Sequence, residues 1–341
     1  MRQQTRPELS RRLLLSGCAA AGVAGLGPVA RGASGPRRIR FSHVVSKDTP
    51  KGLAAMRLQA LVAQRSGGRI AVDVYPDAQL YGDDDEFEAL QTGAVDLLAP
   101  SLSKFGRVGF PEFEVFDLPF LFDNLDEVRR VTQGGFGRRL LGGLHRQGLV
   151  GLGFFDNGFK HMSADRPLRE VSDFRNLRLR VQSSRVIAAQ MRALGARPVP
   201  LPFSATREAL AQGIVQGTEN PLSNFWTQGM HEVQPHLSLT RHGYLGYAVV
   251  TSERFWSRLP TADQRLLRTA LDEAIAFGNR VTQTQHDKAL ASLRAWGRTT
   301  IHEPTTAQRA SLARAVEPVY AELGRSIGAA WIRDVRRAIR A

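Results

Sequence analysis

From residue 38 onward, apolar and polar positions switch repeatedly between two periods. Residues 38–45, RIRFSHVV, alternate every second position and end in polar residues, the pattern of a strand. Residues 49–68, TPKGLAAMRLQALVAQRSGG, move to the three-and-four spacing of an amphipathic helix, with Thr49 as N-cap, Pro50 at the first helical position and Gly67–Gly68 as the stop. RIAVDVYP (69–76) alternates again as a second strand. DDDEFEALQTG (83–93) is a short helix with acids at its positive end and Gly93 at its C-cap. AVDLLAPS (94–101) is a third strand. This order predicts a parallel sheet with right-handed crossovers.

A second round follows. GLVGLGFFDNG (148–158) is a strand running into a polar turn, NLRLRVQS (176–183) a strand, and SRVIAAQMRALG (184–195) a helix closed by Gly195. ARPVPLP is a short extended piece, SATREALAQG a helix closed by Gly213, and IVQGTENP (214–221) a strand. Residues 261–297 hold helical periodicity for about 35 residues, long enough to span two domains. The two rounds also share sequence. Glu88 to Phe105 and Glu208 to Phe225 match at eight of eighteen positions at a constant offset of 120, which favours one supersecondary unit used twice. Two such lobes would face each other through the loops that follow their strands, PSLSKF and ENPLSNF, where open α/β sheets bind ligands.

Composition narrows the class. The chain has 341 residues, 43% hydrophobic and 23% charged, an ordinary globular balance with room for two domains. No stretch reaches the roughly 18 apolar residues of a membrane span. Residues 1–33 read as a secretory signal: a charged start, an apolar stretch from Leu13 to about Val29, then small residues. Arg11–Arg12 followed by three leucines matches the twin-arginine type, with cleavage expected between Ala30 and Ser34. Leu15-Ser16-Gly17-Cys18 also resembles a lipobox, although only Leu13 and Leu14 would separate it from the arginines. If Cys18 leaves with the signal, the mature chain has no cysteine, and so no disulfide, thiol nucleophile or thiolate metal site. The formal charge is +14, of which +10 remains after residues 1–34. That excess favours anionic partners. The basic residues are scattered except for Arg333, Arg336, Arg337 and Arg340, and no nucleic-acid-binding signature is present.

Enzyme motifs are missing. There is no P-loop, no true G-x-G-x-x-G and no G-x-S-x-G elbow. HEVQPH (231–236) sets its histidines five apart, about 140° round a helix, so a zinc-helix reading yields to surface histidines near a loop. No metal, cofactor or catalytic residue is expected. An exported enzyme acting on a small anionic metabolite is the alternative to a binding protein, and it would need a poised acid–base pair.

Several stretches taken together, FSHVVSKDTPKG, VYPDAQLYGD, LAPSLSKFG, FEVFDLPFLF, NLRLRVQSS, GTENPLSN and HGYLGYAVV, resemble the extracytoplasmic solute-binding proteins of tripartite ATP-independent periplasmic (TRAP) transporters. Within that family they are most similar to the C4-dicarboxylate-binding subgroup. The resemblance covers roughly residues 38 to 335. It implies an α/β, two-lobed periplasmic binding fold of type II-like form, with a ligand cleft between the lobes and a long helix spanning both. The expected lobes are residues 34–157 with 246–285, and 158–245 with 286–341. It implies a periplasmic protein that captures a small organic dicarboxylate and delivers it to membrane permease subunits, catalyses nothing and does not span the membrane.

The same resemblance assigns candidate ligand residues. Arg180 in RLRV matches the arginine that grips the substrate carboxylate, and Asn220 in TENP completes the grip. Lys160 stands where the family usually has a second arginine in an NGFRH-like turn. It is a departure, because an ammonium cannot form the planar fork of a guanidinium. His43 and Ser101 fall where the opposite lobe lines the cleft, with Lys51 and His43 as cations for the far end of a dicarboxylate. Lys51, Ser103, Phe203, Trp226, Tyr244 and His242 complete the set. By residue type alone, His43, Trp226 and Tyr244 read equally well as core, and Ser101 and Ser103 as helix caps. Arg178, two positions before Arg180 on the same strand face, reads as a solvated surface residue.

Overall fold

The computed structural model describes residues 35–341, and the signal, cleavage and Cys18 readings lie outside them. Both predicted rounds are present, and their sheet order is mirrored. The first round is β1 (Arg37–Ser42), α1 (Pro50–Ser66), β2 (Ile70–Tyr75), α2 (Glu86–Thr92) and β3 (Leu97–Leu98). Then come α3 (Leu125–Gln133), α4 (Gly135–Gly143) and the long β4 (Leu149–Ala164). The second round is β5 (Arg178–Val181), α5 (Arg185–Ala193), β6 (Arg197–Pro200), α6 (Thr206–Ala211), β7 (Gly217–Asn220) and α7 (Leu222–Thr227). The long β8 (His236–Ser252), α8 (Glu253–Ser257), α9 (Thr261–Trp296), β9 (Thr300–His302), α10 (Thr306–Val316), α11 (Pro318–Ile327) and α12 (Ala329–Arg340) complete the chain.

The sheet runs β2-β1-β3-β8-β4-β7-β5-β6, with β9 added against β8. In each half a central strand, β1 or β5, has two parallel neighbours. The inner neighbour, β3 or β7, then meets a long strand antiparallel. The repeat in sequence is therefore a repeat in structure: α2–Gly93–β3 and α6–Gly213–β7 are the same unit, each turning at a left-handed glycine. The long strands β4 and β8 pair from Leu149↔Ser252 to Ala164↔His236 and join the halves. Their register shifts at Gly151/Gly153, Asp156/Gly158 and Lys160/Met162, irregularities that bend a ribbon serving both halves.

Local chemistry accounts for the elements. Thr49 Oγ1 accepts the Gly52 N–H at 3.2 Å to start α1, and Gly67 ends it at φ 60°. Ser184 caps α5 by accepting from Ile187 N. Helix α9 packs on α1 of the first half and α7 of the second. Its contact with α1 is close because Gly278 lies against Ala54, where a Cβ would come within 2.8 Å of the Ala54 Cβ. The core contains a stacked pair, Phe105 and Phe113, with ring centroids 4.4 Å apart, set among Phe87 and Phe110.

Two expectations need correction. DNGFK is not a turn: residues 156–160 lie inside β4 and are buried, with Asp156 bonded by Tyr244 and Arg129, Asn157 Nδ2 by Asn224 and Lys160 by Glu219. The histidines of HEVQPH are not loop-surface residues either. His231 is buried between Trp226 and Trp296, and His236 begins β8 and stacks on His302. No helix among the described residues is long and apolar enough to cross a membrane.

Candidate ligand-binding site

The carboxyl ends of the central and inner strands of both halves border one cleft, the place where open α/β sheets bind ligands. From the first half come Val44 and Val45 beyond β1 and Ser101 beyond β3. From the second come Gln182 beyond β5 and Asn220 at the end of β7. Leu245 and Tyr247 of β8 contribute from the joining ribbon. The cavity is about 20 Å³, little more than one water-sized sphere.

Arg180 lies on this lining and is 1% exposed. Its Nε donates to Leu201 O at 2.9 Å, and its Cζ is 5.7 Å from the Phe203 ring centroid. Its Nη1 is buried with no partner among the described residues. Burial pushes its pKa down, opposed by the charges of Asp83 and Glu219. A guanidinium with an unused N–H has a strong bond to offer a planar anion. Asn220 Nδ2 donates to Thr218 Oγ1 at 3.2 Å and contacts Met230 Sδ at 3.4 Å. Ser101 is the N-cap of the turn over residues 102–108 and borders the cleft as well.

The structure thus brings Arg180, Asn220, Ser101 and Phe203 together. It sets the other candidates apart. Lys160 is buried behind the lining, paired with Glu219 at 3.1 Å. His242 reaches the same carboxylate at 3.3 Å and Thr240 Oγ1 at 2.7 Å, off the cleft. Ser103 Oγ donates to Asp117 at 2.6 Å, and Asp117 also accepts from Ser184 at 2.7 Å. Burial pushes Asp117 up to about 6, against the pull of Lys160.

Lys51 Nζ donates to Ala99 O at 3.1 Å and sits 3.7 Å over the Tyr247 ring. Burial and then the charge of Lys104 lower it to about 7. His43 is buried edge-on to Phe41 and held well below its ordinary pKa by burial and Lys51. Tyr244 is core: its ring packs by Phe116 and Phe122, and its hydroxyl donates to Asp156 at 2.9 Å. Trp226 stacks on His231 at 4.1 Å and borders a separate groove. Arg178 is exposed, yet it is tied to Ile214 O and Gly213 O at 2.9 and 2.8 Å.

Sequence reasoning missed Asp83, Lys104, Asn224 and Tyr247, all on the lining. A signal for two of them existed. Lys104 and Asn224 are the repeat-related pair at offset 120, the variable position inside L-S-x-F, and both face the cleft. Lys104 is 5% exposed and ion-paired with Asp83 and Glu86. Asn224 Oδ1 accepts from Asn157 Nδ2 at 2.8 Å.

Comparison with known proteins identifies the family and the fold. Residues 41–326 match the family described as bacterial extracellular solute-binding protein, family 7. A C4-dicarboxylate-binding periplasmic protein DctP of Rhodobacter capsulatus is 46% identical over 303 residues, covering 89% of this chain and 91% of that protein. A TRAP periplasmic solute-binding protein of Shewanella oneidensis, solved with bound succinate, superposes with a TM-score of 0.87 at 39% identity over 89% of this chain and 99% of that one. Its Pseudomonas aeruginosa counterpart with bound L-malate gives 0.82 at 38% identity, over 84% and 100%. The mirrored sheet halves, the joining ribbon and the spanning helix are the two-lobed α/β architecture of these proteins. The chain belongs to bacterial extracellular solute-binding protein family 7, the solute receptors of TRAP transporters.

Proposed function

We propose that this protein captures a small C4 dicarboxylate, of the succinate or malate type, in the cleft around Arg180. It works outside the cytoplasmic membrane and delivers the acid to the permease subunits of a TRAP transporter. The observation that carries the reading is the Arg180 guanidinium: buried, on the cleft lining, with Nη1 unpartnered. Relatives whose names or bound ligands are C4 dicarboxylates support the ligand class.

The mechanism follows from the geometry. A carboxylate offers two coplanar acceptors, which a guanidinium meets with parallel donors. Asn220 and Ser101 add neutral donors from the two halves. Exposed, such an ion pair is worth only about 0–1 kcal/mol. Micromolar capture requires roughly −8 kcal/mol, so the pair must be enclosed. Separation of the halves about the irregular β4–β8 ribbon admits the acid, and closure shuts water out. No step breaks a covalent bond, so the ligand is released unchanged. Export rests on residues 1–33 acting as a cleaved twin-arginine signal, which the mass of the mature exported chain tests.

A thermal-shift screen of organic acids tests the function. Succinate, fumarate or malate should raise the melting temperature, and each should be recovered intact. No shift with any of them, or turnover of one, would refute the reading.

A further inference from the structure

The cleft contains a carboxylate of its own. Asp83 follows β2 and belongs to the first half, and it lines the cavity with Arg180 and Phe203. One of its oxygens meets Lys104 Nζ, and the other accepts the backbone N–H of Phe203, which belongs to the opposite half. Arg180 is near enough that the two charges act on each other. An ammonium, a backbone N–H and a guanidinium are what a bound organic carboxylate would seek. Lys104 keeps a partner if Asp83 leaves, because Glu86, 1% exposed, also pairs with it. Asp83 is also the partly accessible member of the trio, and its neighbours Asp84 and Asp85 are exposed, so its loop has a route to water.

Resting on the dicarboxylate reading above, we propose that Asp83 is a displaceable internal carboxylate. It occupies the position of the ligand's far carboxylate, ties the two halves together through Phe203, and yields Lys104 and the Phe203 N–H to a ligand that brings a second carboxylate. The device selects for two charges. A monocarboxylate held by Arg180 leaves Asp83 in place and gains nothing at Lys104. A dicarboxylate exchanges one carboxylate for another, so Lys104 stays paired while the ligand is held at both ends. Asp83 returned to water regains its hydration.

The test is calorimetric titration of the mature chain with succinate and with butyrate, which has the same carbon chain and one carboxylate. The variants are Asp83→Asn and Lys104→Met, each with a circular dichroism spectrum and a melt. Asp83→Asn should tighten succinate by about tenfold, the difference between displacing a charge-assisted and a neutral bond, and change butyrate far less. Lys104→Met should bring the succinate and butyrate affinities to within a few fold of each other, whatever it does to either alone. If Lys104→Met fails to fold, Asp83→Asn decides alone. Weaker succinate binding by folded Asp83→Asn, or an equal change for both acids, would make Asp83 a structural clamp and overturn the proposal. Wild-type protein that binds neither acid would overturn the dicarboxylate reading itself, a distinct result.

Discussion

Replacing Lys160 by methionine separates a structural lysine from a ligand-binding one. Methionine matches the length of the aliphatic stem and removes the charge. In the native protein Lys160 and Glu219 are both about 2% exposed at the side chain and 3.1 Å apart. Burial raises the Glu219 pKa, but Lys160 and then His242 outweigh it and hold the carboxyl below its ordinary value. Without the lysine, burial dominates. His242, 3.3 Å away, is itself lowered by burial, so it is a weaker counter-charge than the lysine it would stand in for. Removing one partner of a buried pair costs about 3–5 kcal/mol.

The pH dependence gives the prediction its sign. In the wild type Glu219 has a depressed folded pKa, so its contribution is present above the unfolded carboxylate range and lost only as pH falls through the folded value. In the variant its folded pKa is raised, so the penalty is full at neutral pH and relieved as acid protonates Glu219. Urea denaturation at pH 7.5 and pH 5 should give a loss of about 3–5 kcal/mol at the higher pH and at least about 1 kcal/mol less at the lower one. A penalty that does not change between the two, or one below about 1 kcal/mol at pH 7.5, would refute the argument.

Further predictions follow from other sites. Asp117, raised to about 6 from 3.8 by burial, binds its proton more tightly folded than unfolded, so stability falls as pH rises across that interval by about 3 kcal/mol. Asp117→Asn should flatten this slope, read from urea midpoints at pH 4.5 and 7, and an unchanged slope would count against it. Gly158→Ala should lower the melting temperature, because φ is +98° and the new Cβ would sit 2.7 Å from His286 Nε2, a strain of about 1–3 kcal/mol. Trp226→Phe should leave succinate affinity unchanged, since Trp226 stacks on His231 away from the cleft. A large loss by calorimetry would return Trp226 to the site.

What the sequence disclosed depended on whether local pattern or global enclosure decided the question. The alternation in RIRFSHVV, the Thr49-Pro50 start and the glycine stops are local, and they recur as β1, α1 and their caps. The offset of 120 favours two copies of one unit, and the sheet order repeats it. Arg180 and Asn220 stood out through family motifs rather than periodicity, which placed Arg178 and Arg180 on one face without ranking them. Structure separates them: Arg178 is exposed and closes the α6–β7 turn, and Arg180 is buried in the cleft. Lys160 reads as a turn residue because DNG is polar, and pattern cannot reveal that Glu219 bonds Lys160 and Asn279 bonds the Asp156 N–H inside a ribbon. Tyr244 and Trp226 show the same limit, since aromatic residues suit core and lining equally. Asp83 and Lys104 were hidden because an acidic helix start and a lone lysine carry no local sign of their partners.

The central claim is that Arg180 holds a ligand carboxylate in the cleft. Isothermal titration of the mature protein with succinate, wild type against Arg180→Ala, tests it most directly, with circular dichroism establishing that both are folded. The wild type should bind one succinate per chain. Loss of two charge-assisted bonds should weaken the variant by about a hundredfold or more. A folded Arg180→Ala protein that binds succinate as tightly as the wild type would contradict the assignment.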